Sequence, residues 1–119
     1  MLTSSESCCL LCRAIWNGGV RARNVTIRGR GIVCGRHTFE KRQRHKMVQV
    51  QFADEVHVEG IILRESSGWN MMLDHASQVH VDNVKIIAHF ANSDGMDLSG
   101  LTDSVVSNSF VHNGDDVSA

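Results

Sequence analysis

The 119-residue sequence predicts an all-β solenoid, a parallel β-helix of about four coils, and three observations support this fold class. First, a short segment recurs at positions 24–29, 55–60, 78–83 and 103–108, so the period is regular apart from one longer excursion between the first two copies. Second, apolar and polar residues alternate within the copies, which is typical of half-buried strands. Third, the copies end in residue types that most easily adopt a left-handed backbone: Gly29, Gly60, Asn83 and Asn108.

Each copy predicts one strand, one bend and the start of a second strand. The apolar positions of the first strand are a β-branched column (Ile27, Val58, Val81, Val106) and the column two positions before it (Val25, Val56, Val79, Ser104). Another apolar pair follows every bend. A unit of this size, in a chain with no proline, cannot bury its apolar face alone but can do so by stacking on its neighbours.

The rival fold is an ordinary β-sandwich, which needs hairpin signals between closely spaced strands. Asn17-Gly18 and Asn113-Gly114 are present, but neither joins two good strands. The pattern therefore favours the solenoid.

Two regions interrupt the repeat. Residues 1–20 do not fit it, so we expect an irregular N-terminal segment followed by a partial β-helix domain over residues 21–119. Residues 36–46 are rich in lysine and arginine and form the longest excursion between copies. This excursion is either a basic loop that contacts an anionic polymer or a solvated connector between coils, since charge runs usually mark exposed surface.

The overall composition excludes several classes of protein. Twelve basic residues nearly balance 13 acidic ones, so no net charge favours nucleic acid or a membrane surface as a partner. No apolar run reaches the roughly 18 residues of a membrane span. The segment from Met1 to Trp16 does not resemble a signal peptide, because its apolar run is short and no basic residue precedes that run.

All four cysteines lie in the first third of the chain, at Cys8, Cys9, Cys12 and Cys34. Cys9-x-x-Cys12 is a candidate metal or redox pair, but a zinc site needs a second pair or nearby histidines. We therefore expect buried or incidental thiols, and the redox compartment stays open.

The last third of the chain carries the candidate chemistry. Residues 69–73 match residues 94–98 one coil later, which predicts a third strand per coil, and residues 115–119 fall at this place in the next coil. Equivalent residues of neighbouring parallel strands lie about 4.8 Å apart, so Asp94 should lie beside Asp115 or Asp116. Both members of that pair reach one cleft only if the chain bends there, and Gly114 provides for a bend.

Crowded carboxylates repel one another, so we expect one to keep its proton near neutral pH while the others stay ionised. Such a set supplies a proton donor and a base that activates water, as glycosidic hydrolysis requires. Asp, Asn and Gly are also common turn formers, and loop carboxylates can bind calcium. The spacing alone leaves these alternatives open.

Two motifs resemble those of glycoside hydrolase family 28, the polygalacturonase-type family. They are Asn-Ser-Asp-Gly-Met-Asp at positions 92–97 and Gly-Asp-Asp at positions 114–116. The glycines between positions 24 and 35 are similar to an early coil of that family, and Ser67-Gly68-Trp69 resembles the segment before its cleft strands. The resemblance covers about residues 20–119.

This resemblance implies a right-handed parallel β-helix that hydrolyses pectic or related polysaccharides with inversion, without metal or cofactor. It implies that Asp115 is the general acid, that Asp94 and Asp116 hold and deprotonate the attacking water, and that Asn92 lines the cleft. Inversion is expected to separate acid and base by about 6.5–9.5 Å. Such enzymes are usually secreted or periplasmic, so the resemblance implies a secreted or periplasmic localisation for this chain.

The sequence also departs from the family pattern. Ser93 replaces a threonine, His112 precedes the aspartate pair and is expected to be a strand or turn residue, and the family's Gly-His-Gly and Arg-x-Lys motifs would fall beyond Ala119. We therefore expect a truncated chain with little or no hydrolase activity of its own. Open coil edges also predict edge-to-edge self-association.

Two other functions fit the residues. The first is a non-catalytic carbohydrate-binding or structural β-helix that keeps the aspartates as turn formers or calcium ligands. The second is a related β-helix lyase with calcium-bound carboxylates and an arginine base, which the paired aspartate motifs favour less than a hydrolase. The polysaccharide itself, and endo or exo action, stay open.

Overall fold

The computed structural model describes Cys12–Ala14 and residues 21–36 and 46–119. These residues form a right-handed parallel β-helix of four coils with three strands in each coil. The strands are β1 (Cys12–Ala14), β2 (Ala22–Arg28), β3 (Ile32–Cys34), β4 (Val48–Gln51), β5 (Ala53–Glu59), β6 (Ile62–Arg64), β7 (Met71–Asp74), β8 (Ser77–Asp82), β9 (Lys85–Ile87), β10 (Met96–Ser99), β11 (Thr102–Ser107) and β12 (Phe110–His112). The described residues contain no helix long and apolar enough to cross a membrane.

Equivalent strands of successive coils pair in parallel and build three sheets. Sheet 1 has the order β1-β4-β7-β10, sheet 2 has β2-β5-β8-β11, and sheet 3 has β3-β6-β9-β12. In sheet 2, Val25 pairs with Val56, Val56 with Val79, and Val79 with Ser104. This register confirms the predicted repeat and the alignment of its four copies.

The core is a set of stacked aliphatic columns that the three sheets enclose. Val56, Val58, Val79 and Val81 of sheet 2 are all at most 1% exposed, whereas the intervening His57 and His80 are exposed and stack with ring centroids 5.2 Å apart. Burial of one such side chain contributes about 1.5–3 kcal/mol, so stability grows with every coil that covers its neighbour.

The positive φ predicted for the bends after sheet 2 is confirmed at all four positions, three of which are left-handed. Gly60, Asn83 and Asn108 have φ values of 76°, 52° and 50°, whereas Gly29, at 158°, is close to an extended backbone. A second left-handed column was not predicted. It lies inside the strands, has φ values of 51–58°, and is skipped by the ladder pairing in every coil: Asn24, Glu55, Gln78 and Asp103.

This second column repeats at the same place in each coil, with one left-handed residue on every strand, so the register of the ladder is kept across it. A left-handed conformation costs a residue other than glycine about 1–2 kcal/mol, and the hydrogen bonds of the flanking ladder offset this cost. A third left-handed set lies between the strands of sheets 1 and 2, at Phe52, His75 and Gly100, with φ values of 54°, 49° and 60°.

The segment that the sequence sets apart from the repeat contains one strand of the solenoid. β1 pairs in parallel with β4 through Cys12↔Val48 and Ala14↔Val50, so this strand extends sheet 1. Cys8, Cys9, the remainder of residues 1–20 and residues 37–45 of the basic excursion lie outside the described residues. Cys34 is a free, half-buried thiol in β3.

Candidate active site

Asp94 lies just before β10, at the edge of sheet 1. The Asn70 N–H donates to the Asp94 carbonyl oxygen at 2.9 Å, and Met96 pairs with Met71, which confirms the predicted one-coil match between these segments. The Asn70 side-chain amide also donates to the Asp94 carbonyl at 2.9 Å. The backbone that carries the Asp94 carboxyl group is therefore fixed from the preceding coil.

The segment with Asp115 and Asp116 lies beside Asp94 at the start of the next coil. The Gly95 N–H donates to the Asp116 carbonyl at 2.8 Å, and Met96 forms a parallel bridge with Ser118. The offset from Met96 to Ser118 is one position longer than the offset from Asp94 to Asp115. As a result Asp116, and not Asp115, is the ladder neighbour of Asp94.

A bend at Gly114 lets the aspartate pair approach this edge, as the sequence predicts. A Cβ atom at Gly114 would lie 2.3 Å from the Phe90 carbonyl oxygen, a distance that backbone atoms do not tolerate. The absence of a side chain therefore allows the chain before Asp115 to pack directly on the turn before Asp94.

Two polar side chains hold this bend against the preceding turn. The Asn113 amide donates to the carbonyl oxygens of Ser93, Asp115 and Asp116 at 3.0, 3.0 and 2.7 Å. The Ser93 hydroxyl donates to the Phe90 carbonyl at 2.6 Å and accepts from the Gly114 N–H at 3.0 Å. The sequence marked Asn113 only as part of an Asn-Gly pair, and its role depends on contacts between coils.

The structure brings all three predicted carboxylates together. One oxygen each from Asp94, Asp115 and Asp116 lies within 4.8 Å of the other two. Asp94 is buried at 9% exposure, whereas Asp115 and Asp116 are exposed to solvent. The Asp115 carboxylate accepts from the N–H groups of Asp116 at 3.0 Å and Asn92 at 3.1 Å, so the predicted cleft residue Asn92 contributes its backbone here.

The selected oxygens of these carboxylates lie closer together than the separation of carboxyl groups expected for inversion. An inverting pair needs about 6.5–9.5 Å for a water molecule, and a retaining pair lies about 5–5.5 Å apart. The oxygens of the trio lie within 4.8 Å of one another. The spacing therefore gives inversion no support.

Electrostatic crowding changes the acidity of Asp94. Burial raises the pKa of its carboxyl group above the usual 3.8, and the negative charges of Asp115 and Asp116 raise it further. Oδ1 of Asp94 is buried without a hydrogen-bond partner, so nothing at that oxygen stabilises the ionised form.

A fourth carboxyl group, Asp97, belongs to this site and was missed as a site residue. It is buried at 9% exposure, and its Oδ2 has no hydrogen-bond partner. Burial raises the pKa of Asp97 to about 6, the charges of Asp94 and Asp116 add to the rise, and the charge of Lys46 opposes it. Asp97 is thus a carboxyl group that keeps its proton in weakly acidic solution, the behaviour expected of one member of the cluster.

The sequence could have identified Asp97 only through comparison with the residues at the same position in other coils. Asp97 pairs with Met72 in β7, and Met72 pairs with Gln49 in β4, so a carboxyl group stands where the two preceding coils have uncharged residues. Lys46, at the described end of the basic excursion, lies with its Nζ 4.8 Å from the centroid of the Trp69 ring. The charge of Lys46 acts on the pKa of Asp97, so this cation lies near the carboxylates.

Comparison with known proteins identifies the family. Residues 15–119 match the model of glycosyl hydrolases family 28. Among solved structures, the chain is similar to a predicted glycosyl hydrolase from Parabacteroides merdae ATCC 43184, with a TM-score of 0.50 and 18% sequence identity.

That similarity covers 82% of this chain and 61% of the Parabacteroides protein, so the chain spans about three fifths of that protein's length. At this identity the similarity shows the fold alone. No curated protein sequence matches the chain. Because the family match extends over nearly all of its residues, the chain belongs to glycosyl hydrolases family 28.

Proposed function

We propose that the chain supplies the catalytic carboxylates of a polygalacturonase-like hydrolase, which cleaves O-glycosidic bonds of a pectic or related polysaccharide. The observation that carries the proposal is the convergence of Asp94, Asp115 and Asp116 at one edge of sheet 1, with oxygens within 4.8 Å. Family membership supports the same reaction class. No observation favours a purely structural or carbohydrate-binding protein over a hydrolase.

In the proposed reaction Asp115 is the general acid. It gives its proton to the glycosidic oxygen as the bond between that oxygen and the anomeric carbon breaks. The two N–H groups that hold its carboxylate fix the orientation of the group. Because Asp115 is exposed, a polysaccharide can reach it from solvent.

Asp94 and Asp116 act on the water molecule in this proposal. The water attacks the anomeric carbon and passes one proton to a carboxylate, which leaves a new hydroxyl group on the sugar. Burial and neighbouring charge raise the pKa of Asp94, and a carboxylate with a raised pKa is a stronger base once it is ionised. Asp97 is still protonated at weakly acidic pH, so it adds no negative charge beside Asp94 there.

This assignment has a consequence for the pH dependence of the reaction. Asp94 must be ionised to accept a proton, and its pKa lies above 3.8. The rate is therefore expected to fall on the acidic side at a pH above that of an ordinary aspartate. A pH profile of kcat/KM that stays flat down to pH 3.8 would contradict the role of Asp94 as base.

The hydrolase activity is tested in a chimera, because the chain spans about 61% of its structural relative. Residues 21–119 replace the matching coils of an active family 28 polygalacturonase, and new reducing ends are measured on polygalacturonan. Single replacement of Asp94, Asp115 or Asp116 by asparagine should lower kcat by about 10²-fold or more. Asp103→Asn, an exposed carboxylate of the same coil, should leave kcat unchanged.

A folded chimera whose kcat is unaffected by all three active-site replacements would contradict the proposal. Loss of hydrolysis with unchanged substrate binding would instead support it, since a binding protein has no turnover to lose. Circular dichroism establishes that each variant is folded.

Inversion is the finer part of this proposal and rests on the resemblance to the family. ¹H NMR of the first product, recorded before mutarotation, distinguishes the two outcomes. Inversion gives the anomer opposite to that of the cleaved linkage. A product with the original configuration would mean that one of the closely spaced carboxylates acts as a nucleophile.

A further inference from the structure

The carboxylate trio is a concentration of negative charge that forms no ion pair within the described part of the chain. Within residues 21–36 and 46–119, the ion pairs join other residues, and none includes Asp94, Asp115 or Asp116. One member of the trio, Asp94, is also more than nine-tenths buried, and its Oδ1 is unpartnered. A buried carboxylate oxygen without a donor is expected to attract a cation, because its desolvation is otherwise uncompensated.

The spacing of the oxygens selects among the common cations. Three points no more than 4.8 Å apart share a centre within about 2.8 Å of each, which exceeds the Ca²⁺–oxygen distance of about 2.3–2.6 Å by a few tenths of an ångström. Mg²⁺ requires about 2.0–2.1 Å and near-ideal octahedral geometry, so it would need a much larger contraction. Zn²⁺ is commonly bound through nitrogen or sulfur in addition to oxygen, and the trio offers oxygen alone.

The surroundings favour binding without a large rearrangement. The Asp115 carboxylate is already oriented by the N–H groups of Asn92 and Asp116. Asp115 and Asp116 are exposed, so an ion enters from solvent and keeps water molecules as its remaining ligands.

We propose that Asp94, Asp115 and Asp116 form a calcium site, and that calcium bound there blocks hydrolysis by occupying the position of the attacking water. The inhibition rests on the proposed function, whereas the binding rests on the geometry alone. Three carboxylates completed by water predict a dissociation constant of about 10⁻⁴–10⁻³ M, in the range of weak extracellular calcium sites.

Terbium luminescence tests the binding in the full chain, because Tb³⁺ substitutes for calcium and its emission is sensitised by a nearby indole. Trp69 is the neighbour of Asn70, which is hydrogen-bonded to Asp94. We expect saturable emission that CaCl₂ displaces at millimolar concentration. Trp69→Phe should reduce the emission.

Variants of the trio locate the site. Asp116→Asn should weaken calcium competition and terbium binding at least about tenfold, since it removes one of three charged ligands. The Asp116 side chain is exposed, so this variant is expected to fold even if Asp94→Asn does not. Asp103→Asn is the matched control and should bind like the parent chain.

Terbium emission that is unchanged in both Asp94→Asn and Asp116→Asn, or that CaCl₂ does not displace, would overturn the calcium site. Calcium binding in a chimera that does not hydrolyse polygalacturonan would support the site and count against the proposed hydrolase activity. Hydrolysis that saturating CaCl₂ leaves unchanged would overturn the inhibition.

Discussion

Replacement of Asp97 by asparagine is expected to stabilise the protein, and the gain should depend on pH. The pKa of Asp97 is about 6 in the folded chain and 3.8 as the reference value for the unfolded chain. Because the folded-state pKa is the higher one, folding favours the protonated form. The free energy of unfolding is therefore not reduced by this group below pH 3.8, and it falls as the pH rises through about 6 and Asp97 ionises in the folded chain.

The size of the effect follows from the difference between the two pKa values. One pKa unit corresponds to about 1.4 kcal/mol, so the roughly two-unit shift costs up to about 3 kcal/mol once Asp97 is ionised. The cost arises mainly from burial and then from the neighbouring charge of Asp94. Asparagine has nearly the same shape and carries no charge, so it removes this cost at pH 7 and changes little at pH 3.5.

Urea unfolding of the parent chain and Asp97→Asn at pH 3.5, 5 and 7 measures this dependence. EDTA keeps the samples free of calcium, and Asp103→Asn controls for loss of one negative charge at an exposed position. The free energy of unfolding of Asp97→Asn should exceed that of the parent by an amount that grows with pH. An equal difference at all three pH values, or a less stable variant at pH 7, would refute the reasoning.

Two further predictions concern the bend that carries the aspartate pair. Gly114→Ala places a Cβ atom 2.3 Å from the Phe90 carbonyl oxygen, so the carboxylates should shift and terbium binding should weaken at least about tenfold. Gly31→Ala is the control, because a Cβ atom there has no other atom within 4 Å, and it should leave terbium binding unchanged. Asn113→Ala removes the donor to three backbone carbonyls and should lower the free energy of unfolding by about 1–3 kcal/mol in urea titrations. An Asn113→Ala chain as stable as the parent would show that water replaces the amide.

The repeat could be predicted from the sequence because stacking forces the same requirement on every coil. Val56 and Val79 occupy one buried column, and Gly60 and Asn83 occupy one bend column, so comparison of the copies reveals the strands, the bends and the register. The left-handed column inside the strands of sheet 2 was not predicted. Glu55 and Gln78 have no special preference for that conformation, which the surrounding ladder imposes on them.

The candidate site could be predicted only in part. The convergence of Asp94 with Asp115 and Asp116 followed from coil spacing, but the shift by one position that makes Asp116 its ladder neighbour depends on the bend at Gly114. The raised pKa of Asp97 arises mainly from burial against other coils and then from the charge of Asp94, and the charge of Lys46, which is distant in sequence, opposes it. Such effects of packing leave no local signal.

The division of labour among the carboxylates is tested most directly by the leaving group of the substrate. A nitrophenyl oligogalacturonide needs little protonation at its departing oxygen, whereas polygalacturonan needs a general acid. In the chimera, Asp115→Asn is therefore predicted to lose about 10²-fold or more in kcat on polygalacturonan and far less on the nitrophenyl substrate, while Asp94→Asn loses activity on both. An equal loss on both substrates for Asp115→Asn would contradict its role as the general acid.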